Sequence, residues 1–432
     1  MADLKPTKPL SGFIELLPAQ QRCFDECARR MQNVLKTSGF SHLDLPAVER
    51  AEILTDKDNW EEIETQIFMF QKGDTKMGLR YDGTVGLARY VAGNINNLTF
   101  PFRAYQFARN YRGERPQRGR YREFYQMDLD IMGQGALSEN YDAEIVAVLS
   151  NAYKSIKEFV GPATVRVGNR KFWNAMFEYL NLDEKQSRDA FVLVDKKDKL
   201  NDFAGALTEA IGDKNAIEIN NVFAKGYKSF LNKSCNLDSA IYELDNFMSQ
   251  LSAMGIQDAE IDLGIMRGHA YYTGIVFEFF LTKFPDLGAV GGGGRYEDLA
   301  SKFSKTKIIG VGAAVGFSRL MVVLLDENKI DLSMFENPVK AAVLVMGNAQ
   351  VPYAMSVLAA LRTENIVAVP YLDTEKKFKN QIEFADKIKS KFSIIIGDTE
   401  VKNQVLAVKD MTSGEQQTLS LTDAVKTLKN VK

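Results

Sequence analysis

Three cysteines and two histidines in 432 residues leave little material for thiol, imidazole or soft-metal chemistry. Cys23, Cys27 and Cys235 make neither a paired CxxC framework nor a disulfide scaffold, which points to a reducing compartment. His42 and His269 are far apart in the chain, and no Ser/His/Asp or Cys/His nucleophile arrangement accompanies them. No apolar run approaches the ~18 to 20 residues of a membrane span, and the opening MADLKPTKPL lacks a signal-peptide core, so a cytoplasmic protein with no membrane partner is expected. Lysine and arginine (54) nearly cancel aspartate and glutamate (56), and a net charge of −2 gives no bulk attraction to nucleic acid or acidic lipid. Any polyanion site must come from local clustering. Neither GxGxxG nor GxxxxGK[ST] occurs, which argues against a dinucleotide fold and a P-loop.

What is there in abundance is local arginine. From Phe102 to Asp130 the chain reads FRAYQFARNYRGERPQRGRYREFYQMDLD, with Arg103, Arg109, Arg112, Arg115, Arg118, Arg120 and Arg122 between two aromatic-rich runs. Ala104 to Tyr111 and Tyr121 to Leu129 have the mixed pattern of strands, and Gly113 to Gly119 punctuates a long hairpin loop. Guanidinium groups supply bidentate donors to phosphate, while Asp and Gln accept from amines or a ring N–H. The hairpin therefore suits a polyanion held beside a small cation.

The remaining chain divides by pattern. Phe24, Cys27, Met31, Val34 and Leu35 predict a helix from Pro18 to Ser38 that stops at Gly39, with a short strand before Pro46. Gln66 to Lys72 reads as a strand, and a helix follows around Val85 to Asn94. Asp82 and Thr84 fall at that helix N-terminus, where a carboxylate and a hydroxyl either cap the helix or hold an amine. From about Asn174 to Met254 helical patterns such as Ala204 to Ile211, Ile219 to Phe230 and Leu237 to Met254 recur with little strand-like alternation, so 174–254 reads as a mostly helical insertion. Strand character returns at Ile261–Met266 and Gly274–Leu281, an expected antiparallel pair flanking Arg267-Gly-His-Ala-Tyr-Tyr-Thr-Gly274. In a strand, Tyr271 and Tyr272 face opposite sides, so at most one lines a pocket there. Four successive glycines in Val290-Gly-Gly-Gly-Gly-Arg-Tyr296 allow close approach of backbone to a ligand. After a break at Glu327 to Pro338, a βαβα pattern predicts a small α/β domain on a short parallel sheet. Arg267 and Arg319 both sit beside glycine-rich turns, so guanidinium groups from separate segments could neutralise a triphosphate and the charge that develops in displacement at its α-phosphorus.

At these residues the sequence resembles the histidyl-tRNA synthetases, a family of class II aminoacyl-tRNA synthetases, over nearly its whole length. Tyr111 to Gln126 looks like the second class II motif in its histidine-specific form, Gly39 to Pro46 with its helix like the first, and Gly312 to Leu320 like the third. Leu79-Arg-Tyr-Asp-Gly-Thr84 and Arg267 to Glu278 resemble two histidine-enzyme signatures. The resemblance implies an α+β catalytic domain over 1–330, with an antiparallel sheet of six or seven strands and the helical insertion at 174–254. A small α/β anticodon-binding domain over 338–432 would follow. It implies ATP-dependent ligation of L-histidine to tRNA(His) through a histidyl-adenylate, by a homodimer, with Mg²⁺ bridging phosphates.

Carried over by position, the resemblance puts ATP at Arg112, Glu114, Arg120, Phe124 and Arg319, with Phe124 stacked on the base. Histidine would meet Asp82, Thr84, Gln126, Asp130, Arg267, Tyr271, Tyr272 and Tyr296. Arg115, Gln117 and Arg118 would meet the tRNA acceptor end, and Arg112, Arg267 and Arg319 would be catalytic. Three departures from the family pattern stand out: His269 two residues after Arg267, Ser318 in place of Glu before Arg319, and no Arg-Asp pair in the segment ending at Pro18. An alternative is a related regulatory chain that senses histidine for ATP phosphoribosyltransferase, which would lack the Arg267-type residue and the anticodon domain.

Overall fold

The computed structural model describes residues 6–55, 65–267, 272–297, 300, 303–336 and 338–430. They fall into two compact units, one of residues up to Glu15 with Phe24–Ile330, the other of Leu16–Cys23 with Asp331 onward.

The first unit is organised on an eight-stranded sheet. Its strands are β1 (Ser41–His42), β5 (Phe102–Tyr111), β6 (Glu123–Gln134), β7 (Ala163–Asn169), β8 (Ala259–Ile261), β9 (Tyr272–Leu281), β10 (Ala289–Tyr296) and β11 (Ile308–Val315). Strands β2 (Val48–Arg50), β3 (Met69–Lys72) and β4 (Thr75–Leu79) make a separate three-stranded sheet. The large sheet runs β1-β5-β6-β11-β10-β9-β7-β8. The inner six strands pair antiparallel, and the short edge strands β1 and β8 add in parallel, which raises the expected six or seven strands to eight. The expected antiparallel pair of Ile261–Met266 with Gly274–Leu281 does not form. Strand β8 ends at Ile261 and pairs parallel with β7, because the Asp262 carboxylate turns back to accept from Gly264 N at 2.9 Å and breaks the ladder.

Besides two single-turn helices at Ala51–Leu54 and Lys157–Val160, the helices in chain order are α1 (Pro18–Thr37), α2 (Thr84–Gly93), α3 (Asn140–Ser155), α4 (Arg170–Tyr179), α5 (Glu184–Asp195), α6 (Phe203–Ile211), α7 (Asp213–Lys225), α8 (Cys235–Ala253) and α9 (Phe317–Asp326). On α1, Phe24, Cys27, Met31 and Leu35 are buried at helical spacing. Gly39, at φ +82°, ends the helix as Phe40 N bonds back to Leu35 O. The Phe317 ring meets Phe24 edge-on at 4.7 Å and Phe107 edge-on at 5.2 Å, fixing α9 against α1 and the arginine hairpin. Full burial of a side chain such as Phe317 contributes roughly 1.5 to 3 kcal/mol. Between α4 and α8 the described residues form helices and turns only, as the periodicity of 174–254 predicts.

In the second unit, β12 (Ala341–Val345), α10 (Val351–Thr363), β13 (Ala368–Tyr371), α11 (Phe378–Lys387), β14 (Phe392–Ile396), α12 (Asp398–Asn403), β15 (Val405–Asp410), β16 (Gln416–Ser420) and α13 (Leu421–Asn430) follow one another. Sheet order is β13-β12-β14-β15-β16. The first three strands are parallel and the last two antiparallel, so the expected parallel sheet is in fact mixed. The reversal begins after β14, where the short helix α12 returns the chain as β15 beside it, and continues in a hairpin in which Asp410 accepts from Thr412 N and Ser413 N and Gly414 takes φ +77°. All five residues of β12 are buried, because helices cover both faces.

Candidate active site

The middle of strand β10, Gly291 to Gly294, forms a stretch without side chains. A Cβ at Gly292 would lie 1.9 Å from Arg267 Nη1, and one at Gly294 would lie 2.8 Å from the Tyr272 ring. On the opposite face a Cβ at Gly291 would lie 2.7 Å from the buried Tyr153 hydroxyl, and one at Gly293 would lie 1.9 Å from Gly312 O. Both faces of the strand are thus occupied up to the backbone, which only glycine allows. The end of the strand is fixed by Arg295, whose guanidinium donates to the buried Asp142 carboxylate at 2.7 Å and to Leu137 O and Ser138 O.

Beside this stretch lies a cavity of about 160 Å³ lined by Asp82, Thr84, Arg112, Gln126, Asp130, Arg267, Tyr272, Tyr296 and Gly312 to Ala314. Gln126, Asp128 and Asp130 alternate on β6 and so share one face. Asp130 accepts from the Tyr296 hydroxyl at 2.9 Å, and there is room for it because Gly312 opposite has no side chain: a Cβ would lie 2.0 Å from its Oδ1. Gln126 is held in one orientation, accepting from Asn110 Nδ2 at 3.1 Å and donating to Asp128 Oδ1 at 2.7 Å. Asp82 Oδ1 accepts from Thr84 N at 3.0 Å and Val85 N at 3.1 Å. Asp82 therefore caps α2 and lines the cavity at once.

Burial dominates the electrostatics. It pushes Asp130 up to about 7, against the Tyr296 hydrogen bond that lowers it. Asp128, behind Gln126, is pushed up to about 8 by burial first and then by the charges of Asp130 and Asp82. A cavity with the Asp82 and Asp130 carboxyls in its wall, Asp130 with raised affinity for protons, is matched to a ligand that brings N–H donors or positive charge.

A larger cleft of about 700 Å³ adjoins it, lined among others by Tyr81, Arg112, Glu114, Arg120, Phe124, Arg267, Glu278 and Arg319. Arg112 lies between two rings, 4.3 Å from the Tyr81 centroid and 5.0 Å from that of Phe124. Glu114 and Arg120 approach across the hairpin loop at 3.4 Å. Arg319 donates to Leu287 O at 2.5 Å, and burial pulls its guanidinium below the ordinary value. Arg267 stands 3.6 Å from Glu278, whose carboxyl is raised by burial and lowered by that same arginine. The cavity and the cleft share Arg112, Gln126, Arg267 and Ala314, so ligands in the two would meet across one wall.

The residues expected at the nucleotide and amino-acid sites are thus brought together, apart from Tyr271, which with His269 lies outside the described residues. Arg115, Gln117 and Arg118 sit exposed on the hairpin loop, Arg118 paired with Asp286 at 2.8 Å and Glu327 at 2.6 Å. Arg103 pairs with Glu144, and Arg109 lies over the Tyr125 ring, so neither lines the cleft. Ser318, where a glutamate was expected, accepts from Tyr125 N at 2.8 Å and ties α9 to β6. Sequence reasoning gave no role to Glu278, Tyr81 or Asp128. Glu278 was within reach: it lies six residues from Tyr272 on β9, and period two puts both on the same face.

An antiparallel sheet that raises arginines into a cleft beside a carboxylate-lined cavity, followed by a separate mixed α/β unit, defines the class: a class II aminoacyl-tRNA synthetase fold. Comparison with known proteins narrows this. The family description "Histidyl-tRNA synthetase" matches residues 12–321, and "Anticodon binding domain" matches 340–431. The chain is 36% identical to the histidine–tRNA ligase of Clostridium tetani, with 99% of each chain covered. It is 35% identical to that of Clostridium acetobutylicum, over 95% of this chain and 97% of the relative. The crystal structure of histidyl-tRNA synthetase from Nostoc sp. PCC 7120 superposes with a TM-score of 0.85 at 28% identity, over 99% of each chain. The chain belongs to the histidyl-tRNA synthetase family.

Proposed function

We propose that the chain ligates L-histidine to tRNA(His) in two steps, and the observation that carries this is the wall shared by the small cavity and the larger cleft. In the first step the histidine carboxylate oxygen attacks the α-phosphorus of ATP; a new P–O bond forms as the bond to pyrophosphate breaks. In the second, a terminal ribose hydroxyl of the tRNA attacks the carbonyl carbon and AMP leaves. Both are displacements served by positioning and charge stabilisation, and neither needs a protein nucleophile.

In this reading Asp130 and Tyr296 receive the imidazole with Tyr272 beside it, while Asp82, Thr84 and Gln126 hold the amino and carboxylate groups. Arg112 leaves its place between Tyr81 and Phe124 to grip the α-phosphate, and a base takes the Phe124 face with Glu114 at its amino group. Arg120 and Arg319 neutralise the outer phosphates. Arg267, at the shared wall, stabilises the charge that develops at the α-phosphorus. Mg²⁺ arrives as part of the nucleotide. The described residues contain no cluster of three metal-ligating side chains, and Glu114 and Glu278 are the carboxylates of the cleft, so phosphate oxygens would carry most of its coordination.

On the same reading, 1–330 is the catalytic domain with 174–254 inserted, and 338–432 binds the anticodon. Arg115, Gln117 and Arg118 meet the acceptor end, where Arg118 would exchange two exposed ion pairs for phosphate at little cost. The chain acts as a cytoplasmic homodimer, which sedimentation of the full chain tests. The reaction is tested by pyrophosphate exchange with ATP and each amino acid in turn: exchange with histidine alone is expected, and exchange with none would overturn the assignment.

A further inference from the structure

Arg267 reaches the shared wall from a backbone in the left-handed region, at φ +54°. For a residue with a side chain that conformation costs on the order of 1 to 3 kcal/mol and persists only where the surroundings impose it. The anchors of the segment leading to it come from one place, the junction of β7 and α4. Asp262 N donates to Val167 O at 2.8 Å, and the Trp173 indole donates to Leu263 O at 2.8 Å. Gly168 lets Ile265 O approach to where a Cβ would be only 2.0 Å away. Last, Arg170 Nη1 donates to Arg267 O at 3.4 Å.

Arg170 is itself aligned from the other side. Its guanidinium lies 4.4 Å from the centroid of Phe191, on α5. Its own position at the start of α4 is set by Asn169, whose buried side chain accepts from Lys171 N and Phe172 N. One planar cation thus joins a helix of the insertion to the carbonyl of Arg267.

We infer that Arg170 is a positioning residue for Arg267, and that through it the packing of α5 in the helical insertion sets the reach of Arg267 into the shared wall. The inference rests on the role of Arg267 proposed above. It assigns the insertion a part in the first chemical step, before any tRNA is present.

The test uses the full chain with Arg170→Ala, Arg170→Lys and Phe191→Leu, none of which alters a residue lining the cavity or cleft. Misplacement of a group at the reacting centre by about 1 Å costs on the order of 10²-fold. Arg170→Ala is expected to lower kcat for histidine-dependent pyrophosphate exchange by about that factor, with KM for ATP and the thermal midpoint unchanged. Arg170→Lys, which keeps a donor, should recover part of the loss, and Phe191→Leu should reproduce part of it. Unchanged kcat in Arg170→Ala, or a loss that merely tracks a lowered midpoint, overturns the inference. Amide hydrogen exchange supplies a readout independent of activity: Arg170→Ala should speed exchange in the segment around 262–267 and leave β7 protected. Unchanged protection of that segment overturns the inference even if the wild-type chain exchanges no pyrophosphate, an outcome that separately overturns the proposed function.

Discussion

Gly292 and Arg267 compete for one volume: the position a Cβ would take on the strand is 1.9 Å from the Nη1 of the arginine. Gly292→Ala should therefore expel the guanidinium from its seat against Phe277 O and Glu278, and it also presses on the β9 backbone, since the same Cβ would lie 2.4 Å from Phe277 O. Pyrophosphate exchange is expected to fall on the order of 10²-fold, with a lowered thermal midpoint from the pressure on the β9 backbone and a circular dichroism spectrum close to wild type at room temperature; near-normal exchange would show that the guanidinium keeps its seat.

Removing the guanidinium outright separates binding from chemistry. Arg267→Ala should retain ATP binding, measured by calorimetry, because Arg112, Arg120 and Arg319 remain in the cleft. Histidine-dependent exchange should drop by roughly 10²- to 10³-fold, the scale for losing one charge-stabilising donor. Near-normal exchange would contradict the assigned role.

The Tyr296 hydroxyl is the donor that keeps the Asp130 carboxyl from rising further. In Tyr296→Phe the carboxyl rises again and its fixed orientation is lost. A hydrogen bond to an ionised group contributes roughly 1.5 to 3 kcal/mol, so KM for histidine should increase about tenfold or more. KM for ATP should not move, and steady-state exchange at varied histidine and ATP distinguishes the two.

Asp128 and Asp130 give the ligand-free chain a pH dependence with a definite sign. Folded, they hold protons to about 8 and 7, whereas unfolded aspartates release theirs near pH ~4. Their contribution to stability is full below about pH 4 and is lost as pH rises through 7 to 8, since the folded state binds more protons over that window. Asp128→Asn should flatten the fall in denaturation midpoint across neutral pH. An equally steep fall in the variant would show that the proton resides elsewhere.

Ser318→Ala probes the substitution at the third motif. It leaves Tyr125 N without the hydroxyl acceptor 2.8 Å away, at a cost of roughly 1 to 3 kcal/mol for a donor removed from water. Scanning calorimetry should show a lower midpoint, and KM for both small substrates should hold.

How much of this was legible in the sequence depends on the distance over which each feature is decided. The arginine hairpin could be read because its strands, loop and functional groups are contiguous, and β5 and β6 pair across it in register from Phe102 to Tyr111. Of the two uses readable for Asp82, capping is observed, and the carboxylate also lines the cavity, where holding an amine belongs to the proposed function. Strand β16 was missed because Gln416–Ser420 is exposed and polar and shows no alternation. The course of Ile261–Met266 was misjudged for a different reason, since an apolar run of that length reads equally as strand, and a side-chain turn at Asp262 decides otherwise. Asp128 could not be singled out at all. Its importance comes from Gln126 beside it and from the closeness of Gly83, where a Cβ would lie 2.5 Å from its Oδ2, and only the folded chain brings the turn before α2 against β6.

The bare stretch of β10 beside the site has no rotamers to freeze. A side chain immobilised on ligand contact typically costs about 0.5 to 1.5 kcal/mol in lost freedom. Gly291 and Gly292, the two that line the cleft, lose none, so a ligand against them meets peptide groups whose order was established during folding. A surface of that kind carries little information about which ligand it bears. On the proposed reading, discrimination among small amino acids resides in the walls at Gln126, Asp130 and Tyr296, and attempts to alter selectivity belong there, with β10 kept as it is.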